Sequence, residues 1–577
     1  MRQDLHAEIE AALRRVLTDA GDSGPLPGFS LEVSRQKEHG DFACNAALVL
    51  AKRLRKPPRE IAEQLAAELR VGSSLVARAE VAGPGFLNLW LAGSRWQELL
   101  RRVLAEGRAY GRSTSGAGKR VQIEFVSANP TGPLTLGHGR QAVLGDAIAR
   151  LLDAQGYEVT REYYFNNAGR QMRMLGESLR ARYLERLGLA APPTEAALAD
   201  PENSWEESRD GLPVVFPRGG YQGGYLGEIA DDLLCERGDS LVNEPGEGLF
   251  REIAEARVFA EIRRTLDALG LHFDVYTNEQ DLYDRGLVAD VLAELGKQGL
   301  AYEQDGATWF RATARGLERD RVLVKRTGEA TYLLPDIAYH REKFRRGFDH
   351  VIDVQGADHV DQFPFVVEAA AALGCPKDRI ELVMHQFVTL TKDDEQVKQS
   401  KRRANYVTVD ALLASVGADV FRFFMVQRRS ESHLEFDLEL AKSTDWTKNP
   451  AYYVQYAHAR SCGIERRAAE QGVAPPTAAS VLADALVLPE EIELLKKIAE
   501  FPEVAERAAA TREPHHLAYY ARELAGLWNP YLQDGVRHRV VSEDAATTNG
   551  RLGLANAVRT VLANALGMLG IGAPERM

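Results

Sequence analysis

The stretch VQIEFVSANPTGPLTLGHGRQAVLGDAIARLLDAQGYEVTREYYF, residues 121–165, decides the fold of this chain. Residues 121–126 have the pattern of a buried strand, and a loop rich in Gly and Pro follows them. Apolar residues then recur at i, i+3 and i+4 spacing, which predicts one helix that Gly156 ends. These residues are Leu144, Ala147, Ile148, Leu151 and Leu152. Because residues 158–165 have a second strand pattern, this order of elements predicts a parallel α/β nucleotide-binding domain.

Residues 1–110 predict a separate N-terminal domain of mixed α+β class. One face of its first helix carries Leu5, Ile9, Leu13 and Val16. The acidic residues of this segment favour an amphipathic helix over a signal peptide. We next expect a strand in FSLEVS, helices over 41–54 and 58–69, and strands in LVARAEVAG and GFLNLWLAG. The Gly- and Ser-rich residues 111–119 are typical of a linker.

Strand and helix patterns alternate to about residue 440, so we assign residues 111–448 to one Rossmann-like parallel-sheet domain with an insertion near 191–255. Residues 449–577 predict an all-helical domain. The apolar face of its last helix carries Leu554, Val558, Val561, Leu562, Leu566 and Leu569. Other side chains in this domain suit base stacking and phosphate contact, although a helix-bundle core is the interpretation that sequence alone favours. These are Tyr452, Tyr453, Tyr456, Arg460, Tyr519 and Tyr520.

The composition is that of a soluble globular protein with room for three or four domains, since 45% of its 577 residues are hydrophobic and 27% are charged. No apolar run is long enough to predict a transmembrane helix. The four cysteines lie far apart without a CxxC pair, which excludes a ribbon-type zinc site and favours reduced thiols. A net charge of −12 argues against a surface covered by nucleic acid but allows a local basic track.

Two segments have residues suited to phosphate chemistry. In the loop 127–140, Gly132, Gly137 and Gly139 let the backbone approach a ligand, and His138 lies where a helix presents free N–H groups. The second segment, VKQSKRRANYVTVDALL (397–413), has Lys398, Gln399, Ser400, Lys401 and Arg402 just before a helix that Thr408 should cap. Mobile lysines there can neutralise charge on departing pyrophosphate. Taken singly, the first segment is more often only a tight connection, and the second is more often a solvated basic turn.

Together the two segments resemble the HIGH and KMSKS signatures of class I aminoacyl-tRNA synthetases in order, spacing and setting. The flanking segments DFACNAALVLAK, GYQGGYLGEIA, TYLLPDIAYHREKFRRGFDHVIDVQGADH and NPAYYVQYAHAR resemble arginyl-tRNA synthetases in particular. This resemblance covers essentially the whole chain and implies an N-terminal tRNA-contacting domain and a helical anticodon-binding domain. Two positions depart from the signatures: Thr135 stands for the first His of HIGH, and Gln399 stands for the Met of KMSKS.

The resemblance also implies roles for individual residues. Asp336 and Tyr332 would bind or flank the guanidinium of arginine, with Glu279 as a further acidic contact, while Ser127 and Asn129 would hold the amino and carboxylate groups. Without the resemblance, a first-turn helix acid, a strand-core tyrosine and a surface glutamate explain Asp336, Tyr332 and Glu279 as well. Gln355 and the neighbouring Gly356, Asp358 and His359 would line the floor of the ATP and arginine site. For ATP binding and catalysis the resemblance implies roles for Gly137, His138, Gly139, Thr135, Lys398, Ser400 and Lys401.

The implied reaction is the ATP-dependent attachment of arginine to tRNA(Arg) through an arginyl-adenylate. Catalysis would consist of positioning and charge stabilisation, with Mg²⁺ accompanying ATP and with neither zinc nor a tightly bound cofactor. The resemblance further implies a cytoplasmic monomer without membrane association, in which tRNA must bind before arginine is activated efficiently. Three alternatives stay open: a tRNA-binding paralogue without catalysis, a nucleotidyl transferase with a HIGH-type loop, and a synthetase for another amino acid.

Overall fold

The computed structural model describes residues 2–34, 39–392, 395–396 and 407–577. Its N-terminal unit is an antiparallel sheet of order β1-β2-β4-β3 packed with helices. The elements are α1 (Arg2–Asp19), β1 (Leu31–Val33), β2 (Phe42–Cys44), α2 (Ala46–Leu54), α3 (Pro58–Gly72), β3 (Val76–Ala82), β4 (Phe86–Leu91) and α4 (Gly93–Glu106). The predicted apolar face of α1 is buried. The α+β class of this unit is therefore confirmed.

The helix predicted over residues 41–54 is wrong at its beginning. Phe42–Cys44 is a strand that pairs with both β1 and β4, and the helix begins only at Ala46. Asp41 supports this pairing, because its carboxylate accepts a hydrogen bond from the Leu91 N–H at 2.6 Å. Pairing with strands distant in sequence therefore overrides the local helical pattern.

The middle unit contains a five-stranded sheet of order β14-β13-β5-β6-β9, in which every neighbouring pair is parallel. Its first half comprises β5 (Arg120–Glu124), α5 (Leu136–Ala154), β6 (Glu158–Phe165), α6 (Gly169–Arg186), α7 (Glu195–Ala199), β7 (Ser208–Arg209), β8 (Leu212–Pro213), α8 (Gly224–Arg237), α9 (Arg251–Ala268), β9 (Val275–Asn278) and α10 (Glu279–Asp284). The predicted Rossmann-like class is confirmed. The strand predicted over 121–126 ends earlier, at Glu124, because the chain turns sharply at the next three residues.

The second half of this unit completes the sheet and adds two small three-stranded sheets. It comprises α11 (Leu287–Lys297), β10 (Ala301–Gln304), β11 (Ala307–Phe310), β12 (Arg321–Val324), α12 (Leu333–Arg345), β13 (His350–Gly356), α13 (Phe363–Ala372), β14 (Ile380–His385), β15 (Val388–Lys392), β16 (Glu395–Gln396), α14 (Val409–Val416), α15 (Ala418–Val426), β17 (Leu434–Asp437) and α16 (Leu438–Lys442). Helix α5 packs closely on the sheet, since a Cβ atom on Gly145 would lie only 2.2 Å from the Phe125 ring.

The C-terminal unit is a bundle of α17 (Pro450–Glu470), α18 (Pro489–Thr511), α19 (His515–Tyr531) and α20 (Ala545–Met568). All six apolar residues predicted for the face of the last helix are buried. Arg422 connects this unit to helix α5 of the middle unit, because its guanidinium pairs with Asp146 of α5 and donates to the Leu569 carbonyl at 2.9 Å. In the part of the chain that the structure describes, no helix has the length and apolar character needed to cross a bilayer.

Candidate active site

The carboxyl ends of the five parallel strands meet at one edge of the sheet, which is where open α/β sheets bind ligands. Strand β5 ends at Glu124, β9 ends at Asn278 and β13 ends at Gly356. Ser127 and Glu279 follow two of these strand ends closely, Gln355 and Gly356 end the third, and the loop after β5 leads to Asn129 and His138. Tyr332 and Asp336 come instead from the beginning of α12.

A strained turn follows β5. Val126 and Ser127 have φ values of 67° and 41°, and the Ser127 N–H donates to the Phe125 carbonyl at 2.9 Å. A left-handed conformation at a β-branched residue costs on the order of 1–3 kcal/mol and is concentrated at functional sites. The Ser127 hydroxyl fixes the turn, because it donates to Glu124 Oε1 at 2.9 Å and accepts from the Tyr164 N–H at 3.2 Å. The turn redirects the chain across the sheet edge.

Asn129 is held by both ends of its amide group. Its Oδ1 accepts from the Asn166 N–H at 2.9 Å, and its Nδ2 donates to Gln171 Oε1 at 3.0 Å. Asn129 lines a cleft of about 1130 Å³ together with His138 and Tyr332. The cleft therefore contains three of the residues predicted for the arginine and ATP sites.

The first turn of α5 orients the ring of His138. Its Nδ1 accepts from the Thr135 backbone N–H at 3.2 Å, and the Thr135 hydroxyl lies 3.3 Å from the same nitrogen. This contact assigns the ring proton to Nε2, the nitrogen suited to donate to a phosphate oxygen. Thr135 thus helps to position the histidine.

The glycines on either side of His138, Gly137 and Gly139, differ in the space available for a side chain. A Cβ atom on Gly139 would lie 2.7 Å from the Phe421 ring, so this position needs glycine for packing. A Cβ atom on Gly137 would meet nothing closer than the Thr135 hydroxyl at 4.0 Å. The space over Gly137 is therefore open to a ligand.

Lys398, Gln399, Ser400, Lys401 and Arg402 lie outside the described residues. The chain directly after them returns to the first signature: Thr408 forms an antiparallel bridge with Thr135, and the Val409 N–H donates to the Leu134 carbonyl at 2.9 Å. Thr408 caps α14 as predicted, since its hydroxyl accepts from the Ala411 N–H at 3.2 Å. The described segment that begins at residue 407 therefore lies beside the first signature.

Two carboxylates form an acidic pair at the sheet edge. Glu279 accepts from the Tyr164 hydroxyl at 2.9 Å and from Asn166 Nδ2 at 2.7 Å, and Asp336 accepts from Gln362 Nε2 at 3.0 Å. Within the described residues, neither carboxylate has a Lys or Arg in ion-pair contact.

The surroundings of these carboxylates disfavour their charged forms. Burial raises the pKa of Asp336 to about 7; the nearby Glu124, Glu279 and Asp353 carboxylates add to the shift, and His340 opposes it. Burial also raises the pKa of Glu279. An acidic pair without a nearby cation suits a cationic ligand.

Tyr332 is not a strand-core residue, contrary to the alternative interpretation from sequence. It precedes α12 as the N-cap residue, and its side chain is 65% exposed. It lines the same cleft as His138, and it precedes Asp336 by one helical turn.

A buried network beneath the site was not predicted from sequence. The Lys343 ammonium lies 2.7 Å from both Glu124 and Asp353, and His340 Nε2 lies 2.7 Å from the other Asp353 oxygen. Burial acts to raise the pKa of Asp353, but the Lys343 ammonium and the His340 ring hold it well below its usual range. The available signal was the i, i+4, i+7 spacing of Asp336, His340 and Lys343 on one helix face. The network fixes Glu124 and thereby the Ser127 turn.

Of the residues predicted to bind arginine, Asn129 and Tyr332 line the cleft, whereas Ser127, Glu279 and Asp336 are not part of its lining. Gln355 and Gly356 end β13 at the site edge, but Asp358 and His359 are about two-thirds exposed and are not part of the cleft lining. His385, which ends β14, is buried near Gly356 and was missed from sequence; burial and the Arg140 charge lower its pKa to about 4.

Arg140 is a further residue missed from sequence. Its buried guanidinium donates to three backbone carbonyls, those of Gln386 at 2.7 Å, Ser432 at 2.9 Å and Arg429 at 2.9 Å. The cation therefore fixes α5 to the turns before β15 and before β17. Its position two residues after His138 was the only sequence signal for this role.

The insertion forms one wall of the cleft. Tyr225, at the beginning of α8, donates from its hydroxyl to the Thr131 carbonyl at 2.7 Å, so the insertion closes over the loop of the first signature. Residues 219–223, which overlap the beginning of the GYQGGYLGEIA segment (220–230), also line the cleft.

Comparisons with known protein families agree with each unit in turn. A model described as the arginyl tRNA synthetase N terminal domain matches residues 3–91. One described as the class I (R) tRNA synthetase catalytic domain matches residues 99–207 and 234–424, and the DALR anticodon binding domain model matches residues 454–577. The unmatched residues between 207 and 234 fall inside the predicted insertion.

Full-length relatives of the chain are also arginine–tRNA ligases. The chain is 44% identical to the arginine–tRNA ligase of Desulfotalea psychrophila, with 99% of this chain and 100% of the relative aligned. It is 46% identical to that of Salinibacter ruber, with 99% of each aligned. The arginyl-tRNA synthetase structure from Thermus thermophilus matches over 100% of both chains with a TM-score of 0.74 and 24% identity, a likeness of fold.

Proposed function

The chain belongs to the arginyl-tRNA synthetase family, and from this premise we propose which of its residues attach L-arginine to tRNA(Arg) with ATP. The reaction is ATP-dependent and passes through an arginyl-adenylate. The observation that carries the proposal is the acidic pair of Asp336 and Glu279, which has no cationic partner among the described residues and lies at the same sheet edge as His138. A guanidinium is the planar cation that two such carboxylates bind best.

Arginine would bind with its side chain toward the acidic pair. Asp336 would accept paired hydrogen bonds from the guanidinium, Glu279 would add a second negative charge, and the Tyr332 ring would cover the stem. Ser127 and Asn129 would hold the amino and carboxylate groups near the phosphate side of the cleft. Lysine lacks the planar fork, so it would leave these buried acceptors poorly paired, at a cost of about 1–3 kcal/mol each.

ATP would enter, as its magnesium complex, between the two signatures. His138 Nε2 would donate to a phosphate oxygen, and the open backbone at Gly137 would approach the triphosphate. Gly139 would keep α5 close enough for this contact. Gln355 and Gly356, at the end of β13, would form the floor beneath the nucleoside and arginine, with Asp358 and His359 at its exposed edge. Lys398, Ser400 and Lys401 would cover the phosphates from the second signature.

These positions suit a two-step reaction without a protein nucleophile. The arginine carboxylate attacks the α-phosphorus in line, a P–O bond forms, and the bond to pyrophosphate breaks. The 2′-hydroxyl of the terminal adenosine of the tRNA then attacks the adenylate carbonyl and releases AMP. His138, Lys398 and Lys401 would stabilise the charge that develops on the phosphates in the first step, with Thr135 orienting His138.

We assign the three units the roles implied by their positions in the family. Residues 1–110 would contact tRNA, residues 111–448 would carry the chemistry, and residues 449–577 would bind the anticodon. The proposed working form is a cytoplasmic monomer in which tRNA binding promotes arginine activation.

Arginine-dependent ATP–pyrophosphate exchange, run with and without tRNA, tests the function. We expect exchange only when both arginine and tRNA are present, and no exchange with glutamate, cysteine or methionine. Intact tRNA binding without exchange would instead identify a non-catalytic tRNA-binding paralogue, and exchange with another amino acid would contradict the assigned specificity.

Arginine affinity should depend on pH through Asp336. The pKa of this carboxyl is about 7 in the free protein, and only its ionised form accepts both guanidinium hydrogen bonds. Affinity should therefore be constant above about pH 8 and fall by up to about tenfold per pH unit below about pH 7, while the guanidinium stays charged. Calorimetric titration of arginine from about pH 5.5 to about pH 8 measures this. A flat profile would contradict the contact.

A further inference from the structure

Helix α12 carries a buried histidine in the acidic part of the site. His340 follows Asp336 by one helical turn, and only 4% of it is exposed. Its ring lies edge-on to the Phe363 ring, with the ring centroids 6.1 Å apart, so part of its surroundings is apolar. A polar ring buried in this way is costly unless its nitrogens have hydrogen-bond partners. The partners of the two nitrogens therefore decide how many protons the ring carries.

Both partners of the His340 ring are hydrogen-bond acceptors. Nδ1 lies 2.8 Å from the Asp336 backbone carbonyl, and Nε2 lies 2.7 Å from Oδ2 of Asp353. A carbonyl oxygen can only accept, so Nδ1 carries a proton. Asp353 is ionised, because its other oxygen accepts from the Lys343 ammonium at 2.7 Å, so Nε2 carries a proton as well. The hydrogen-bond partners therefore assign His340 as an imidazolium.

The charges of this buried cluster balance when His340 is an imidazolium. Its anions are Asp353 and Glu124, and the Lys343 ammonium lies 2.7 Å from each of them. Burial raises the pKa of Glu124, but the Lys343 ammonium favours its ionised form. Lys343 supplies one positive charge and His340 supplies the second, so together they offset Asp353 and Glu124. The negative charge of Asp336 is then left for a cationic ligand.

Asp336 lies among charges of both signs. Burial raises its pKa to about 7, the carboxylates of neighbouring elements add to the shift, and His340 opposes it. His340 is therefore a cation that favours the ionised form of Asp336 from within the same helix. The other titratable groups that act on Asp336 or face it are Glu124 of β5, Tyr164 of β6, Glu279 and Tyr283 of α10, and Asp353 of β13.

We propose that His340 is a positioning residue of the arginine site, which acts as a buried imidazolium to keep the Asp336 carboxylate ionised for the guanidinium at neutral pH. The inference rests on the proposed function, which places arginine against Asp336. A nearby opposite charge favours the ionised form of a carboxyl, and a neutral side chain at the same position loses this effect. Without the His340 charge, Asp336 is protonated at neutral pH and accepts fewer guanidinium hydrogen bonds.

His340→Gln in the full chain tests the inference, because glutamine keeps a donor toward Asp353 without the positive charge. We expect the midpoint of arginine affinity against pH to rise by about one pH unit. The Kd for arginine should therefore increase about fivefold at about pH 7 but less than about twofold at about pH 8.5. His340→Lys keeps a positive charge and should restore the wild-type midpoint. Calorimetric titration from about pH 5.5 to about pH 8.5 gives these values.

The matched control is His350→Gln. His350 also contacts a carboxylate, with its Nε2 3.1 Å from Glu381, but it begins β13 whereas the site lies where this strand ends. This variant should keep the wild-type midpoint. A loss of affinity by the same factor at every pH in His340→Gln would assign His340 a structural role only and overturn the inference. An equal shift of the midpoint in the control would overturn it as well.

Nitrogen NMR of the histidine-labelled wild type, without ligands, measures the protonation of His340 directly. We expect both ring nitrogens to carry protons at about pH 7.5, in a signal that His340→Gln and His340→Lys both remove. A neutral His340 ring at this pH, or an unshifted midpoint in His340→Gln, would overturn the inference. Because the spectrum requires no arginine, an imidazolium in a protein that binds no arginine at any pH would instead contradict the proposed function.

Discussion

Asp336→Asn should reduce the affinity for arginine by at least about 100-fold while raising the stability of the free protein. Loss of one partner of a buried charge pair costs about 2–5 kcal/mol of binding, and asparagine keeps the size of the side chain while removing its charge. Gln362 can still donate to the asparagine oxygen, so the local hydrogen bond at 3.0 Å survives. The KM for arginine in pyrophosphate exchange and a calorimetric Kd measure the loss.

The gain in stability follows from the direction of the pKa shift. The pKa of Asp336 is raised from 3.8 to about 7 on folding, so the unfolded chain releases this proton first and stability falls as pH rises between these values. The loss of stability caused by the ionised Asp336 carboxylate is fully present above about pH 7, and asparagine removes it. Discounted for the partial exposure of the side chain, we expect about 1–3 kcal/mol at pH 8. A higher Tm at pH 8 than the wild type, but not at pH 4, would measure it.

Asp284→Asn is the matched control for both effects. Asp284 ends the helix that Glu279 begins, and it is exposed and bonded to Gln280 at 2.9 Å. Removing its charge should leave the arginine KM and the Tm close to their wild-type values, because an exposed charge is screened by solvent. A wild-type arginine KM in Asp336→Asn, or equal losses in the two variants, would show that Asp336 does not contact the guanidinium.

Local patterns were enough to predict the frame of the site. The strand at 121–124, the glycine loop and the apolar stripe of α5 are encoded within thirty residues or so, and burial of one helix face follows from spacing alone. The helix predicted from Asp41 was wrong at its beginning for the opposite reason. The strand Phe42–Cys44 forms only through pairing with β1 and β4. Tertiary pairing of that kind leaves no periodic signal in a short segment.

The buried polar contacts that hold the site in place could not be predicted from sequence for the same reason, because they join residues far apart in the chain. Lys343 and Glu124 are 219 positions apart, and Arg140 reaches carbonyls 246 to 292 positions away. A buried cation is tolerated only where such acceptors converge, and sequence spacing does not reveal that convergence. The acidic pair was named from family resemblance; its lack of a cationic partner within the described residues, and its place beside the Ser127 turn, come from the fold.

Lys401→Ala should lower the turnover of arginine-dependent pyrophosphate exchange by about 100- to 1000-fold. Lys401 lies seven positions before Thr408, which is paired with Thr135 at the beginning of the signature helix. Seven residues span at most about 24 Å, a length that allows this ammonium to reach the phosphates that His138 is proposed to contact. Since its charge acts mainly on the departing pyrophosphate, kcat should fall far more than the KM for ATP rises.

Two variants separate a specific role of Lys401 from loss of local positive charge. Arg403→Ala removes the same charge two positions later and should retain most of the turnover, because the family resemblance assigns the phosphate contact to Lys401. Lys401→Arg keeps the charge on a longer, planar group and should recover part of the activity. Turnover near wild type in Lys401→Ala, or an equal fall in Arg403→Ala, would remove Lys401 from the mechanism. In that case the first signature, with His138 and the α5 N-terminus, would have to stabilise the leaving pyrophosphate alone.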